Sequence, residues 1–546
     1  KGANAVIMVE YTEKKKKTVN IHRPVTPGEN IMAAGSDIMR GETAIRAGTT
    51  LSPRETGVLA ALGTTKVQVF KRPAVGIIST GDEIVEPGKA LKFGRIYDVN
   101  AQAIADAVRE NGGIPEFLGI VKDDRKALLK RLKEMMKYDI IIASGGTSAG
   151  AGDVLYKVID KLGKPGIIVH GIAIKPGKPT IIGVAKKKPI FGLPGYPTSA
   201  MVTFHVLVAP LVRKLSGTES KEEKKIKAKA AMRLFSAKGR HEYMLMNLVS
   251  GTEGEYSAYP VLKGSGAITT LAEADGYVEI PENTVIIDDG SEIDVTLLSD
   301  VIKPADLTII GSHCIGIDIL LNVMNRRTPL QAKIINVGSS GGIAAARRGE
   351  SDISGTHLID GKTGIYNVPF LKRLDIADRA YLVRGYDREQ GFVTAKDNPL
   401  GIESIEDLIK GRISFINRNP GSGTRILFDL ELKRAADKKG ISLTELKNQI
   451  PGYEIEAKSH SAIAAAVAYG RADTGLAIRT VAHQYGLGFV PLREEKYDFA
   501  IPHEKLEKPA VKRFLEVLKS KEFKKELKKT PGLKPTRETG KIIHKP

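Results

Sequence analysis

At 546 residues the chain exceeds what one hydrophobic core usually supports, which predicts about three or four domains. With 42% hydrophobic and 27% charged residues it can bury real cores, so global disorder and fibrous repeats are excluded, and a soluble globular protein is expected. One cysteine, Cys314, excludes an intramolecular disulfide scaffold and a cysteine-based zinc cage, while a net charge of +20 sets a field that attracts anions of any kind.

No apolar run reaches the roughly 18 residues needed to span a bilayer, and no signal peptide opens the sequence, so the expected location is the cytoplasm. The chain starts at Lys1 without a methionine, and a preceding N-terminal piece is expected. Gly2 to Glu10 reads as a strand entered from a turn. Residues 1–72 form a supporting region with one helix that begins at Ser52-Pro53, an N-cap followed by proline at the first helical position. Lysine runs such as Lys14 to Lys17 and Lys186 to Lys188 read as solvated turns.

From Pro73 apolar strands alternate with amphipathic helices. Ala74 to Ser79, Phe117 to Val121 and Asp139 to Ser144 read as strands; Asn100 to Asn111, the segment carrying Leu128, Leu132 and Met135, and Val154 to Leu162 read as helices. This order predicts a mostly parallel sheet over 73–220, with ligands at the carboxyl ends of its strands. Those ends carry Ser79-Thr80-Gly81-Asp82-Glu83, Lys122-Asp123-Asp124, and Ser144-Gly145-Gly146-Thr147-Ser148 running on to Asp153. A Gly-rich turn entering a helix admits a phosphate. Carboxylates beside a phosphate repel it unless a divalent cation lies between, which makes Asp82, Glu83, Asp123, Asp124 and Asp153 candidate Mg²⁺ ligands or water activators, with helix capping as the alternative role of each.

Lys175 and Lys178 sit on a Pro/Gly-stiffened loop suited to an oxyanion or pyrophosphate, and Gly192-Leu193-Pro194-Gly195-Tyr196-Pro197 leads into an apolar helix expected over Met201 to Leu215. Residues 221–302 show short strands between turns, a small all-β domain.

The succession STGDE (79–83), GRIYDVN (94–100), DD (123–124), SGGTSAGAGD (144–153), AIKPGKP (173–179) and GLPGYPTSA (192–200) strongly resembles the MoeA family, molybdopterin molybdotransferases of molybdenum-cofactor synthesis. The resemblance extends from residue 1 to about 300, through KGRHEYM (238–244) and GSGAITTLAEADGYVEIPE (264–282). It implies a three-layer, MogA-like α/β molybdopterin-binding domain followed by a small β-barrel. It also implies an enzyme that takes adenylylated molybdopterin, cleaves the phosphoanhydride with Mg²⁺, releases AMP and places molybdate, or the isosteric tungstate, on the dithiolene.

On this resemblance Asp82, Glu83, Asp123 and Asp153 are catalytic, with Asp82, Glu83 and Asp153 as metal ligands. Gly145, Gly146, Ser148, Pro194 and Pro197 would line the substrate, and Lys175, Lys178, Ser199, Arg240 and Ser265 would hold the oxyanion. A homodimer is implied too. The family's acidic N-terminal motif would lie ahead of Lys1, and Thr147, Ala149 and Tyr196 depart from its usual residues.

After Lys303-Pro304 a second α/β pattern starts, over 303–546. Leu307 to Ser312, Lys333 to Gly338, Asp352 to His357, Arg412 to Asn417 and Ala472 to Ala477 read as strands; Ile315 to Arg326 and a long segment after Arg425 read as helices. The order resembles a type II periplasmic-binding-protein fold, shared by oxyanion binders and the effector domains of LysR-type regulators. Ser312, Ser340, Thr356, Ser422, Thr424 and Arg425 follow strands or open helices, a pattern that suits either an oxyanion site or a set of helix caps. His313 and His357 lack metal-ligand spacing and read as ordinary polar or buried histidines.

No helix-turn-helix precedes residue 303, so nucleic acid is not expected as a partner, nor is a membrane. Two function classes remain: the molybdotransferase, with the C-terminal domain as an oxyanion-binding module, and a non-catalytic molybdopterin- or oxyanion-binding sensor. The carboxylate set favours the enzyme, because a pure anion binder has no use for acids beside its ligand.

Overall fold

The structure, a computed structural model, describes all residues except 1, 148–153, 219–222, 252–253, 300–304, 411 and 421. It divides into two compact units, residues 1–172 with 179–221, and residues 173–178 with 222–546. No described helix is long and apolar enough to cross a membrane.

The first unit is built on a six-stranded sheet in the order Ile114–Val121, Ala74–Thr80, Ile140–Ser144, Lys188–Leu193, Ile181–Ala185, Pro165–His170. The first four strands run parallel, and the last two add antiparallel. Its central strand shows why three layers form. Ile140 and Ile142 pack on one face with Ile104, Val108 and Phe204, whereas Ile141 and Ala143 pack on the other with Leu128, Leu132 and Leu155. A strand buried on both sides needs apolar residues at every position.

The helix expected from Met201 starts earlier, at Pro197, and runs as α-helix Pro197–Thr203, π-turn Phe204–Val208 and α-helix Ala209–Ser216. Pro210 has no N–H to give to the turn before it, and the wider turn absorbs the lost bond.

The N-terminal segment corrects one expectation. Gly2 to Met8 forms no strand; Val6 and Gly28 make single backbone bonds to Glu29 and Asn4, and a short 3-10 helix covers Val9–Tyr11. The ladder begins only at Thr12–Lys15, which pairs with Thr18–Ile21 across a turn with Lys16 at positive φ. Helix Pro53–Ala61 has the expected start, with Ser52 and Glu55 forming a reciprocal capping box.

In the second unit, strands Tyr256–Pro260, Lys225–Ala230, Glu292–Leu297, Gly276–Ile280 and His241–Ser250 pair in that order, and the last closes on the first as a barrel. Ile174–Lys175 adds to it, parallel to His241 and Glu242.

The remainder is a two-lobed α/β structure. Leu307–Gly311 pairs parallel with Ala332–Asn336, and two 15-residue strands, Ala380–Thr394 and Gly488–Pro502, pair antiparallel along their length. Each contributes to both lobes: Tyr386 and Tyr497 pack with Leu320 and Phe514, and Phe392 packs with Phe415 and Phe428. Val249 and Tyr259 of the barrel share a small core with Ile310, Ile335 and Ala345. There Glu350 accepts from Ser257 Oγ at 2.5 Å, from Arg348 Nε at 2.9 Å and from the Tyr259 hydroxyl.

Candidate functional site

The carboxyl ends of the parallel strands in the first unit gather the Gly-rich turn and the acids. Gly145 stands at φ +98° with its N–H donating to Leu193 O at 2.9 Å, and a Cβ there would lie 2.3 Å from Thr80 O. A Cβ on Gly146 would lie 2.8 Å from Thr80 Oγ1 and 3.7 Å from Asp123 Oδ1. The turn therefore requires glycine at both positions and sits against Asp123. Asn100 ties it to the neighbouring loop, donating to Ser144 Oγ and Gly195 O, each at 2.8 Å.

Around this turn lie buried polar atoms with no hydrogen-bond partner among the described residues: Ser79 Oγ, Thr80 Oγ1, Asp98 Oδ2, Asn100 Oδ1 and Thr198 Oγ1. Buried polar groups are normally paired, and such a cluster marks where a polar ligand belongs.

Asp82, Glu83 and Asp123 face solvent, and the first two act on the third. Partial burial, then the charge of Asp82 and that of Glu83, push the Asp123 carboxyl above its ordinary value. Among the described residues no group of three acids stands ready to hold a metal ion. Carboxylate oxygens such as those of Asp82, Glu83 and Asp123 are of the donor type a hard divalent cation takes, and the charges of the first two act on the third. Asp124 instead caps helix Arg125–Glu134, accepting from Ala127 N at 2.7 Å. Asp153 and Ser148 lie outside the described residues.

Pro194 is buried, Pro197 opens its helix, and Ser199 is buried in that helix's first turn. Lys175, Lys178, Arg240 and Ser265 belong to the second unit. Lys175 Nζ pairs with Glu242 Oε1 at 2.8 Å, and the buried Glu242 also accepts from Ser236 Oγ at 2.8 Å. Lys178 is exposed. Arg240 precedes His241, the register partner of Ile174, so it shares the Lys175 edge of the barrel. Ser265 lies in a separate turn before helix Thr270–Glu273.

In the C-terminal part the six hydroxyl and arginine candidates separate. Ser312 Oγ meets His357 Nε2 at 2.8 Å, and His357 Nδ1 meets Glu495 Oε1 at 2.6 Å. Thr424 is buried and its hydroxyl has no partner among the described residues. Gly423 lies against the same histidine, where a Cβ would stand 2.5 Å from His357 Cε1.

The others have structural partners. Ser422 caps helix Gly423–Lys439 through Arg425 N, Thr356 bonds Asn367 Oδ1 at 3.2 Å, and Arg425 lies over the Tyr453 ring and donates to Arg418 O at 3.0 Å. Ser340 is exposed, whereas its neighbour Ser339 accepts from His357 N at 3.2 Å.

Four family models match successive parts of the chain: the MoeA N-terminal region (domains I and II) at residues 1–63, a molybdopterin-binding domain at 76–214, the MoeA C-terminal region (domain IV) at 227–298, and a PBP superfamily domain at 321–519. Among curated proteins, the molybdopterin molybdenumtransferase of Bacillus subtilis is 31% identical over 306 residues, 55% of this chain and 70% of that protein. That of Haemophilus influenzae is 31% identical over 298 residues, 54% of this chain and 73% of that protein. The chain belongs to the MoeA family.

Among solved structures, a MoeA molybdopterin biosynthesis protein from Pyrococcus horikoshii is 42% identical, with TM-score 0.45 over 55% of this chain and 73% of that one. An ABC-type phosphate transport receptor from Vibrio cholerae is 17% identical, with TM-score 0.31 over 42% of this chain and 99% of that one. The MoeA portion is thus that of a transferase family, joined to a PBP-like domain.

Residue reasoning expects the Gly-rich turn and its acids at the strand ends of the MoeA portion, where the structure has Gly145, Gly146, Asp82, Glu83 and Asp123; Asp153 lies outside the described residues. It misses Asn100, Asp98 and Thr198, whose only sequence signal is their position within the GRIYDVN and GLPGYPTSA motifs. In the PBP-like domain it misses Arg388, Arg418, Glu495 and His460, because the strand pairing that gathers them spans more than a hundred residues.

Proposed function

We propose that the protein is a molybdopterin molybdotransferase that inserts molybdate, or tungstate, into adenylylated molybdopterin with release of AMP, and that its PBP-like domain binds a small oxyanion. The observation that carries the first part is the position of Asp123 against the Gly145-Gly146 turn, where the charges of Asp82 and Glu83 bear on it. A phosphoanhydride seated on that turn would place three carboxylates against its own charge, an arrangement stable only with a cation between them.

Asp82, Glu83 and Asp123, together with Asp153, would hold Mg²⁺, which when bound polarises the phosphoryl oxygens. The rest falls to the chain. Thr80, Asn100 and Thr198 offer buried hydrogen-bonding atoms to the substrate, and the glycines keep its approach open. Lys178 and Arg240 supply the charge for molybdate, a tetrahedral dianion; Lys175 takes the same role while it anchors Glu242. A cytoplasmic homodimer agrees with this reading.

The test is AMP release from adenylylated molybdopterin, with and without Mg²⁺ and molybdate. Release by the intact protein that depends on both and falls at least about tenfold in Asp123→Asn supports the assignment. A folded protein that binds molybdopterin and never releases AMP would make the chain a binding protein instead.

A further inference from the structure

The PBP-like domain buries a guanidinium and a carboxylate, with a second, half-buried guanidinium, Arg418, acting on both. Arg388 and Glu495 are 1% and 2% exposed and pair with each other, Nε to Oε2 at 2.9 Å. Arg418 has no carboxylate within ion-pair distance among the described residues; it donates only to the backbone oxygens of Ala457 and Lys458, at 3.2 and 3.3 Å. Burial and the charge of Arg388 pull its pKa down to about 10. A half-buried cation without a counter-ion among the described residues favours an anionic ligand. The unpartnered Thr424 hydroxyl, 1% exposed, is a second group waiting for one.

The hydrogen-bond chain from Ser312 through His357 to Glu495 decides what happens when the anion arrives. The facing Glu495 oxygen fixes the proton of neutral His357 on Nδ1, since the other tautomer would set two lone pairs together at 2.6 Å. Nε2 then accepts the Ser312 hydroxyl hydrogen, leaving Ser312 with only lone pairs to show an anion. We infer that this cleft takes up one proton with each tetrahedral dianion it binds, the proton lodging on His357 Nε2 and freeing the Ser312 hydroxyl to donate to the anion. The inference rests on the oxyanion reading of this domain and adds its proton stoichiometry and residues.

Charge balance points the same way. The two guanidiniums and one carboxylate leave a single positive charge; a dianion would reverse it, and one proton on the imidazole restores neutrality in a site that tolerates no net charge cheaply. His357 is faced by Glu495 and Tyr497 from one long strand and Arg388 from the other, by Arg418 at the end of Phe415–Arg418, by His460 at the start of helix His460–Ala468, and by Ser312. Burial lowers the pKa of both histidines and so favours their neutral forms. His357 is the one bonded to a carboxylate, and it is the one that gains the proton.

The same triplet order serves nucleophilic serines elsewhere, but here Glu495 is already matched by Arg388 and cannot also balance an imidazolium formed during attack.

The experiment is isothermal titration of the full chain with sodium molybdate near pH 8 in two buffers of different ionisation enthalpy, the cleft's share being the heat lost in Arg418→Gln. Thr424→Val, which removes a hydroxyl unbonded in the described structure, guards against a misfolded Arg418 variant. The expected result is uptake of about one proton per anion, with affinity rising about tenfold per pH unit on acidification, and weaker binding without uptake in His357→Gln. Cleft binding with no measurable uptake overturns the inference, as does covalent labelling of Ser312 by a fluorophosphonate. Absence of any molybdate, tungstate or sulfate binding sensitive to Arg418→Gln and Thr424→Val overturns the oxyanion reading itself.

Discussion

Arg388 and Glu495 stand directly opposite each other across the two 15-residue strands, register partners that are also a buried ion pair. Removing one partner strands the other's charge. Arg388→Met is expected to destabilise the PBP-like domain by about 3–5 kcal/mol in urea unfolding, and adding Glu495→Leu to recover most of that loss. A double variant as unstable as the single one would show that packing of the arginine stem, not charge, sets the cost.

The same pair gives an acid signature. Arg388 and His357 hold the Glu495 carboxyl far below its usual range despite its burial. A depressed carboxyl contributes stability that is complete above the unfolded value of about 4.3 and fades as pH falls toward the folded one. Glu495→Gln should therefore flatten the loss of stability of this domain below about pH 4, measured by unfolding at successive pH values.

Asp123 carries the opposite sign. Its raised carboxyl means that the folded state resists its ionisation, so it destabilises the first unit above its folded pKa and ceases to do so on acidification. Asp123→Asn should raise the melting temperature at pH 7 and diminish the stabilisation given by millimolar Mg²⁺. An identical Mg²⁺ effect in both proteins would detach Asp123 from any cation.

The two loop lysines should behave differently when replaced by alanine. Lys175→Ala leaves the buried Glu242 with Ser236 and Ala237 as its donors among the described residues and should destabilise the barrel by about 1–3 kcal/mol. Lys178→Ala should leave the melting temperature unchanged and lower molybdate-dependent AMP release. Equal thermal effects of the two substitutions would count against this division of roles.

Gly145→Ala combines an unfavourable φ with a backbone oxygen 2.3 Å from the new methyl. A loss of more than about 2 kcal/mol in the first unit is expected, with AMP release abolished even where the protein is folded. Wild-type turnover in this variant would mean that the turn is not the phosphate seat.

What was legible in the sequence followed local rules. Ile140 to Ser144 announced a doubly buried strand by unbroken apolar character, and Ser52 with Glu55 announced a helix start by spacing alone. The residues gathered around His357 obey no local rule. His357 and Glu495 are separated by 138 positions, and only the antiparallel register of the long strands brings Arg388 to the same point. Ser422 and Thr424 look alike in sequence; one is a cap and the other a buried hydroxyl without a partner among the described residues, a difference that follows from their places before and inside the helix start.

The short strand Ile174–Lys175 makes the barrel depend on a stretch of chain lying outside residues 222–299. A recombinant piece starting at 222 would expose the His241–Glu242 margin as a bare pairing edge and leave Glu242 shorn of its ammonium partner. Dissection of this protein therefore calls for a graft of residues 173–178 onto the barrel, since simple truncation would yield material prone to strand-to-strand aggregation.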